Sequence, residues 1–227
     1  MTAAQLINQT SGEVEYYTPA FIVEAAREVL GGRIELDPAS CDFANQTVKA
    51  RRIFTDPGLE QVGELIGLIP VPKGEPEQQG PRPLMRALPG GAFEQAWEAD
   101  TLWMNHPFRQ RESKCKHGCK KMICLKRGYH LAHNREGNED WIERVVRAHE
   151  SGRVRCGMCI TFAATSERWF RPLFGYLQCF LSPRTNYVGR NGHPVAGVTK
   201  GSVVTLLKES DFGLFRDVFH NKLGVVK

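Results

Sequence analysis

Short apolar runs alternate with amphipathic stretches along most of this chain, and two of the apolar runs end in a polar cluster that contains a proline. After Tyr16-Tyr17, Thr18 is placed to cap a helix and Pro19 suits its first position. Ile22, Ala25, Ala26, Val29 and Leu30 then form one apolar stripe, which Gly31-Gly32 stops. Ile34-Glu35-Leu36 predicts a short strand that runs into Asp37-Pro38-Ala39-Ser40. A second helix is expected over Ala44 to Ala50 and a second strand at Ile53-Phe54, ending near Asp56. Thr101 to Met104 returns as a strand and delivers Asn105-His106-Pro107-Phe108 at its end.

Asn138 is placed to cap a further helix, with Trp141, Ile142, Val145, Val146 and His149 inward and Gly152 closing it. Strands are expected at 158–163 and 179–181, a short helix at 166–174 and a hairpin from Arg184 to Val198. Ser202 to Leu207 reads as the last buried strand. Such alternation implies an α/β sheet with helices on both faces. We read residues 1–227 as one domain carrying two insertions. The first, 70–91, holds six prolines and four glycines in 22 residues, too many for a regular element. The second, 109–135, is basic and rich in Cys and His.

Composition narrows the setting. No apolar run approaches the roughly 20 residues of a membrane span, and the N-terminus lacks a basic region followed by an apolar one. Seven cysteines, an odd number, argue against a disulfide framework. A reducing cytoplasm is therefore expected. Charge is concentrated: 109–135 carries nine Lys/Arg and one acidic residue, leaving 21 basic and 24 acidic residues elsewhere. A basic segment on a mildly acidic body suits phosphate contact, though a solvated loop would read the same way.

In an open α/β sheet, ligands bind beyond the carboxyl ends of strands, where both polar clusters fall. An acid after the first strand accepts hydrogen bonds from a ligand. An Asn followed by a Pro and an aromatic supplies an amide oxygen, a backbone carbonyl and a ring, a set suited to a planar base bearing an amine.

These pieces, taken in order, resemble the phage-type DNA adenine methyltransferases, often called Dam-like. The resemblance runs through Glu15-Tyr16-Tyr17-Thr18-Pro19, Leu36-Asp37-Pro38-Ala39 and Asn105-His106-Pro107-Phe108. It continues through Thr161-Phe162-Ala163-Ala164-Thr165, Arg168-Trp169-Phe170 and Gly201-Ser202-Val203-Val204. It implies a Rossmann-like sheet and methyl transfer from S-adenosylmethionine to the exocyclic N6 amine of adenine in double-stranded DNA. It further implies a phage-encoded enzyme in the host cytoplasm. By the same resemblance Thr18 and Pro19 match the N-terminal cofactor motif. Asp37, Pro38 and Ala39 match the loop around the cofactor's methionine part, and Asp56 the acid for its ribose. Asn105, His106, Pro107 and Phe108 match the catalytic Asn-Pro-Pro-Tyr/Phe motif, in which the ring stacks on the base.

This chain departs from the pattern twice. Ser40-Cys41-Asp42 stands where glycines are usual, and His106 replaces the first proline of the catalytic motif. The motif uses that residue's backbone carbonyl, which His keeps. Its ring is expected at the surface rather than as a proton shuttle.

Cys115, Cys119 and Cys124 lie within ten residues, followed by His130 and His133, with His117 inside. Three thiolates and an imidazole complete a tetrahedral zinc shell, with His130 the first choice of fourth ligand and His133 or His117 the alternatives. Free thiols in a basic loop are the competing reading. Cys156 and Cys159 are expected in the core, as are Trp169, Phe170, Phe174, Phe180 and Phe162. Arg184, Asn186, Tyr187, Arg190 and Asn191 could read base edges. The competing functions are a same-fold transferase acting on RNA or on a protein glutamine, an enzyme adding a larger group, and a DNA-binding protein whose degenerate cofactor loop no longer binds S-adenosylmethionine.

Overall fold

The computed structural model describes residues 16–55, 91–127, 130–131, 133–196, 199–208 and 212–227. Asp56 and all but the last residue of the 70–91 insertion lie outside them. The elements are α1 (Ala20–Val29), β1 (Leu36–Asp37), α2 (Asp42–Val48), β2 (Arg52–Ile53), β3 (Ala99–Met104) and α3 (Met122–Arg127). They continue with α4 (Asn138–Glu150), β4 (Val154–Phe162), a 3-10 helix (Arg168–Gly175), β5 (Leu177–Leu181), β6 (Ser202–Leu207), α5 (Gly213–Phe219) and β7 (Gly224–Val226).

Seven strands form one mixed sheet in the order β2-β1-β3-β4-β6-β5-β7. The β2-β1-β3-β4 half is parallel, while β6 pairs antiparallel with β4 and β5, and β7 antiparallel with β5. This is an α/β architecture compatible with a Rossmann-like fold. The central strand β4 is buried at every position from Cys156 to Phe162 because both faces are covered. One face packs Ile22, Val23 and Ala26 of α1 with Phe215, Val218 and Phe219 of α5. The other packs Trp141, Ile142 and Val145 of α4 with Phe170 and Leu173 of the 3-10 helix. Among the described residues no helix is long and apolar enough to cross a membrane.

Local chemistry explains most boundaries. Gly31 and Gly32 end α1 at φ of 78° and 88°, returning their amides to Glu28 and Arg27. Arg27 then donates to the Thr47 and Val48 carbonyls, joining α1 to the end of α2. Cys156 and Cys159 enter opposite faces of the sheet as core residues, as their spacing requires.

Several expectations need correction. Thr18 does not cap α1: Pro19 is the N-cap, no side chain bonds there, and the Thr18 hydroxyl is buried elsewhere. Asn138 is the first helical residue of α4; the cap is Gly137, whose amide donates to Asp140. The hairpin reduces to a bridge between Val188 and Pro194, since Val188 also pairs with Tyr17. Phe174 is 53% exposed. β6 is followed by α5 and β7, whose short mixed sequence gave no periodic signal.

Gly137, the cap of α4, packs against the start of the basic insertion. A Cβ there would sit 2.2 Å from the Arg111 nitrogen and 2.7 Å from the Gln110 carbonyl carbon, both backbone atoms. Gly137→Ala should therefore cost about 2–4 kcal/mol in urea unfolding, at the high end for a methyl group. A loss under 0.5 kcal/mol, on the order of a neutral surface change, would show that this contact is not tight.

Candidate active site and metal centre

From β1 the chain moves outward to β2 and then returns to the other side of β1 for β3, so the strand order reverses between β1 and β3. A crevice opens at such a point, beyond the carboxyl ends of the two strands. Asp37 is the last residue of β1 and Asn105 the first after β3. Both line a cleft of about 610 Å³, open mouth included, together with Tyr16, Thr18, His106 and Phe108. Its enclosed part is about 60 Å³, and the rest is mouth open to solvent.

Among the polar atoms that the cleft residues bury without a partner are the Asn105 amide oxygen and the Thr18 hydroxyl. Asn105 Nδ2 donates to the Tyr16 carbonyl at 2.8 Å, which leaves Oδ1 buried and unpartnered. The bond also fixes which end of the amide is oxygen. Tyr16 is held in turn by its neighbour, since Tyr17 and Val188 exchange backbone hydrogen bonds at 2.8 and 2.9 Å. The Thr18 hydroxyl is likewise buried and unpartnered. Asp37 is 2% exposed and accepts from the Ala39 amide at 3.1 Å. Desolvation pushes its carboxyl up to about 7, against the Ala39 and Ser40 hydrogen bonds.

The loop after β1 manages without glycine: no residue from Asp37 to Asp42 has a positive φ. Ser40 donates its amide to Phe54, and the Cys41 sulfur accepts the Ala44 amide, capping α2. Conformation therefore does not require glycine here.

His106 corrects the expectation of a surface ring. It is 1% exposed, with Nε2 3.1 Å from Asn138 Oδ1, its plane tilted 31° to Trp141 and its edge on Phe108 at 5.2 Å. Burial pushes its pKa down to about 4, so the ring is neutral near pH 7 and Nε2 carries the hydrogen given to Asn138. Proline holds this backbone position by its ring closure; His106 holds it by anchoring its side chain to α4. Phe108 is also more enclosed than a free stacking platform, 8% exposed and packed on Phe162 at 4.3 Å and Tyr187 at 5.7 Å. Tyr187 is buried with its hydroxyl 2.9 Å from Ser202, so it reads no base edge.

The second cluster is the expected quartet. Cys115 Sγ, Cys119 Sγ, Cys124 Sγ and a His130 ring nitrogen all lie within 4.8 Å of one another and could hold a metal ion. The sulfurs of Cys115 and Cys119 are 3.4 and 3.8 Å from that of Cys124. Tetrahedral zinc with Zn–S bonds of 2.3 Å requires sulfurs roughly 3.8 Å apart, so the donor set fits that ion. The Leu131 amide donates to Cys115 Sγ at 3.3 Å, and this bond, with the His130 ring, pulls the Cys115 thiol toward thiolate. His117 and His133 are exposed and outside the quartet.

Comparison of the chain with family models, with curated proteins and with solved structures returns no match.

The residues that sequence reasoning missed act through the backbone or across elements. Tyr16 contributes a carbonyl, which no side-chain pattern reveals, and Asn138 showed only a capping signature.

Asp37 and His106 titrate in opposite senses. With an unfolded value near 3.8 and a folded one near 7, Asp37 lets stability fall as pH rises through that window. His106, at 6.5 unfolded and about 4 folded, lets it fall as pH drops through its own. Between pH 4.5 and 6.5 the two slopes oppose. Relative to wild type, His106→Gln should make stability decline with rising pH there, and Asp37→Asn should make it climb, each by up to about 1.4 kcal/mol per pH unit. Denaturant melts across that range check this, and parallel profiles for all three proteins would refute it.

Proposed function

We propose that this protein is an S-adenosylmethionine-dependent methyltransferase acting on the N6 amine of adenine in duplex DNA. The observation that carries the reading is the Asn105 amide, whose nitrogen is committed to Tyr16 and whose oxygen is left buried and unpartnered in the cleft. An acceptor held this way selects an N–H donor, and its place at the strand-order reversal beside Asp37 is where a cofactor and a base would meet. The family resemblance supplies the identities of both ligands.

S-adenosylmethionine, when bound, supplies an electrophilic methyl group. Asp37, a buried acid at the end of β1, suits the ammonium of its methionine part, and the unpartnered Thr18 hydroxyl offers a further acceptor. Asn105 Oδ1 and the His106 carbonyl would each accept one N–H of the adenine amine. Two acceptors in place turn the nitrogen lone pair out of conjugation with the ring and toward the donor. No strong base is needed, because the nitrogen gives up its proton only after the new C–N bond has made it acidic. Rate enhancement then comes from positioning and charge complementarity. The adenine must leave the stack, at a few kcal/mol, and Phe108 offers the apolar wall that receives it. Zinc is the ion we assign to the Cys115, Cys119, Cys124 and His130 quartet, with a structural role.

Incubation with tritiated S-adenosylmethionine and unmethylated duplex DNA, followed by nucleoside mass analysis, tests the reaction. N6-methyladenine is the expected product; a heavier adduct, or label on RNA or on protein glutamine, replaces this reading with a same-fold alternative. No incorporation together with no cofactor binding by calorimetry would make the chain a DNA-binding protein instead. Asn105→Ala should lower transfer by about 10²-fold or more while cofactor affinity stays within about threefold. Equal loss of both would assign Asn105 a structural role. Asp37→Asn should show the converse, weakening cofactor binding by at least about tenfold through loss of a charged partner. In the metal centre, Cys124→Ser should release zinc, and unchanged zinc content in that variant would remove the site.

A further inference from the structure

Over its described side chains, Met122 to Cys124, the helix α3 turns its large apolar residues outward. Its one buried described side chain is Cys124, at 2% exposure, while Met122 and Ile123 stand 65% and 54% exposed. Successive helical residues point about 100° apart, so directing Cys124 at Cys115 and Cys119 turns its two predecessors outward. Met122 is the most exposed large apolar side chain among the described residues. Lys120 and Lys121 precede it directly, and Lys114 and Lys116 flank Cys115 in sequence, all four exposed. An apolar tip with a cationic rim matches a polyanion whose interior is flat and apolar. Two apolar side chains are too few for stable insertion into a membrane surface, which needs a whole helix face.

The tip is also tied to the cleft. The segment continues directly from Phe108, and its two ends close on each other where Glu112 and Arg135 exchange backbone hydrogen bonds at 2.9 and 2.8 Å. The Asn138 amide then donates to the Arg109 carbonyl, the same Asn138 whose side chain holds His106. A duplex gripped by the tip is thus held by a segment rooted beside the catalytic loop.

We infer that Met122 and Ile123 are a wedge that enters a base step of duplex DNA near the target adenine, with Lys120 and Lys121 on the flanking phosphates. The inference rests on DNA being the substrate. Parting one step removes the stacking that resists extrusion of the neighbouring base, so the wedge would also lower the cost of presenting adenine to the cleft.

The experiment uses the full chain loaded with zinc and fluorescence anisotropy over a salt series, with a matched duplex and one carrying a single mismatch. Wild type should bind the mismatched duplex about tenfold more tightly, because part of the unstacking cost is already met. Met122→Ser/Ile123→Ser should lose that preference and bind the matched duplex about tenfold more weakly, with the salt slope unchanged. Lys120→Gln/Lys121→Gln should instead reduce the slope by about two. Equal binding of both duplexes by wild type overturns the wedge without need of a variant. So does an unaltered affinity in the serine variant, and both results leave DNA as the substrate. No binding of wild type to either duplex removes the substrate reading and the wedge together, and binding to phosphatidylserine vesicles in that case would identify the tip as a membrane contact.

Discussion

The cleft depends on how a two-residue strand is kept in register. β1 pairs with β3 at Leu36 and Leu102 alone, too little ladder to resist sliding. Thr101 supplies the rest. Its hydroxyl donates to the Arg33 carbonyl at 3.0 Å, and the Glu35 amide lies 3.1 Å from both that hydroxyl and the Thr101 carbonyl. A slip by one residue would exchange the faces of Leu36 and Asp37 and break all three bonds. With the register held, both strands end at the same edge of the sheet, and Asp37 and Asn105 face one opening.

What could be read in advance divides by the range over which the determining force acts. The metal quartet was legible, down to His130 over His117 and His133, because thiolate and imidazole ligands carry their chemistry in residue type and spacing. β3, β4 and β6 were legible because continuous apolar runs have one cheap place to go. Strands β1 and β2 were legible in position but not in extent. Thr18 and Asn138 misled because capping is a local pattern, while their actual surroundings are set by other elements: the cleft for Thr18, and His106 for Asn138. His106 itself could not be placed, since a histidine after a strand end looks polar until α4 is known to lie above it. Phe108 reads from the sequence as a stacking platform, and the structure makes it also a core residue, packed on Phe162 while it lines the cleft.

The opposed shifts of Asp37 and His106 have one origin: each is a titratable group taken out of water, which disfavours its charged form. Such burial is costly unless a ligand completes it. For Asp37 the charged form is the one that burial disfavours, so under the proposed function a cationic ligand group would restore stability, most strongly above the folded pKa where the acid is charged. His106 differs, because its Nε2 bond to Asn138 ties the neutral ring to α4, although Nδ1 is buried without a partner. Its burial is therefore structural, and fixes the carbonyl that the proposed chemistry uses.

The basic segment solves the opposite problem. Between Arg109 and Arg135 the described core side chains are Cys124 and Leu131, far too little apolar area to order so charged a stretch. Ligation of a metal by the Cys115, Cys119, Cys124 and His130 group would replace that missing core without consuming the apolar residues, which stay available at the surface. A segment stabilised by burial could not have exposed Met122 and Ile123 without losing its fold; one stabilised by a metal ion can. The root of this segment is shared with α4 through Gly137 and Asn138, and α4 holds His106. Were a metal held there, its loss would unravel the surface tip first and disturb the loop after β3 only as far as the Arg109–Asn138 bond transmits it, which under the proposed function would separate DNA engagement from cofactor binding.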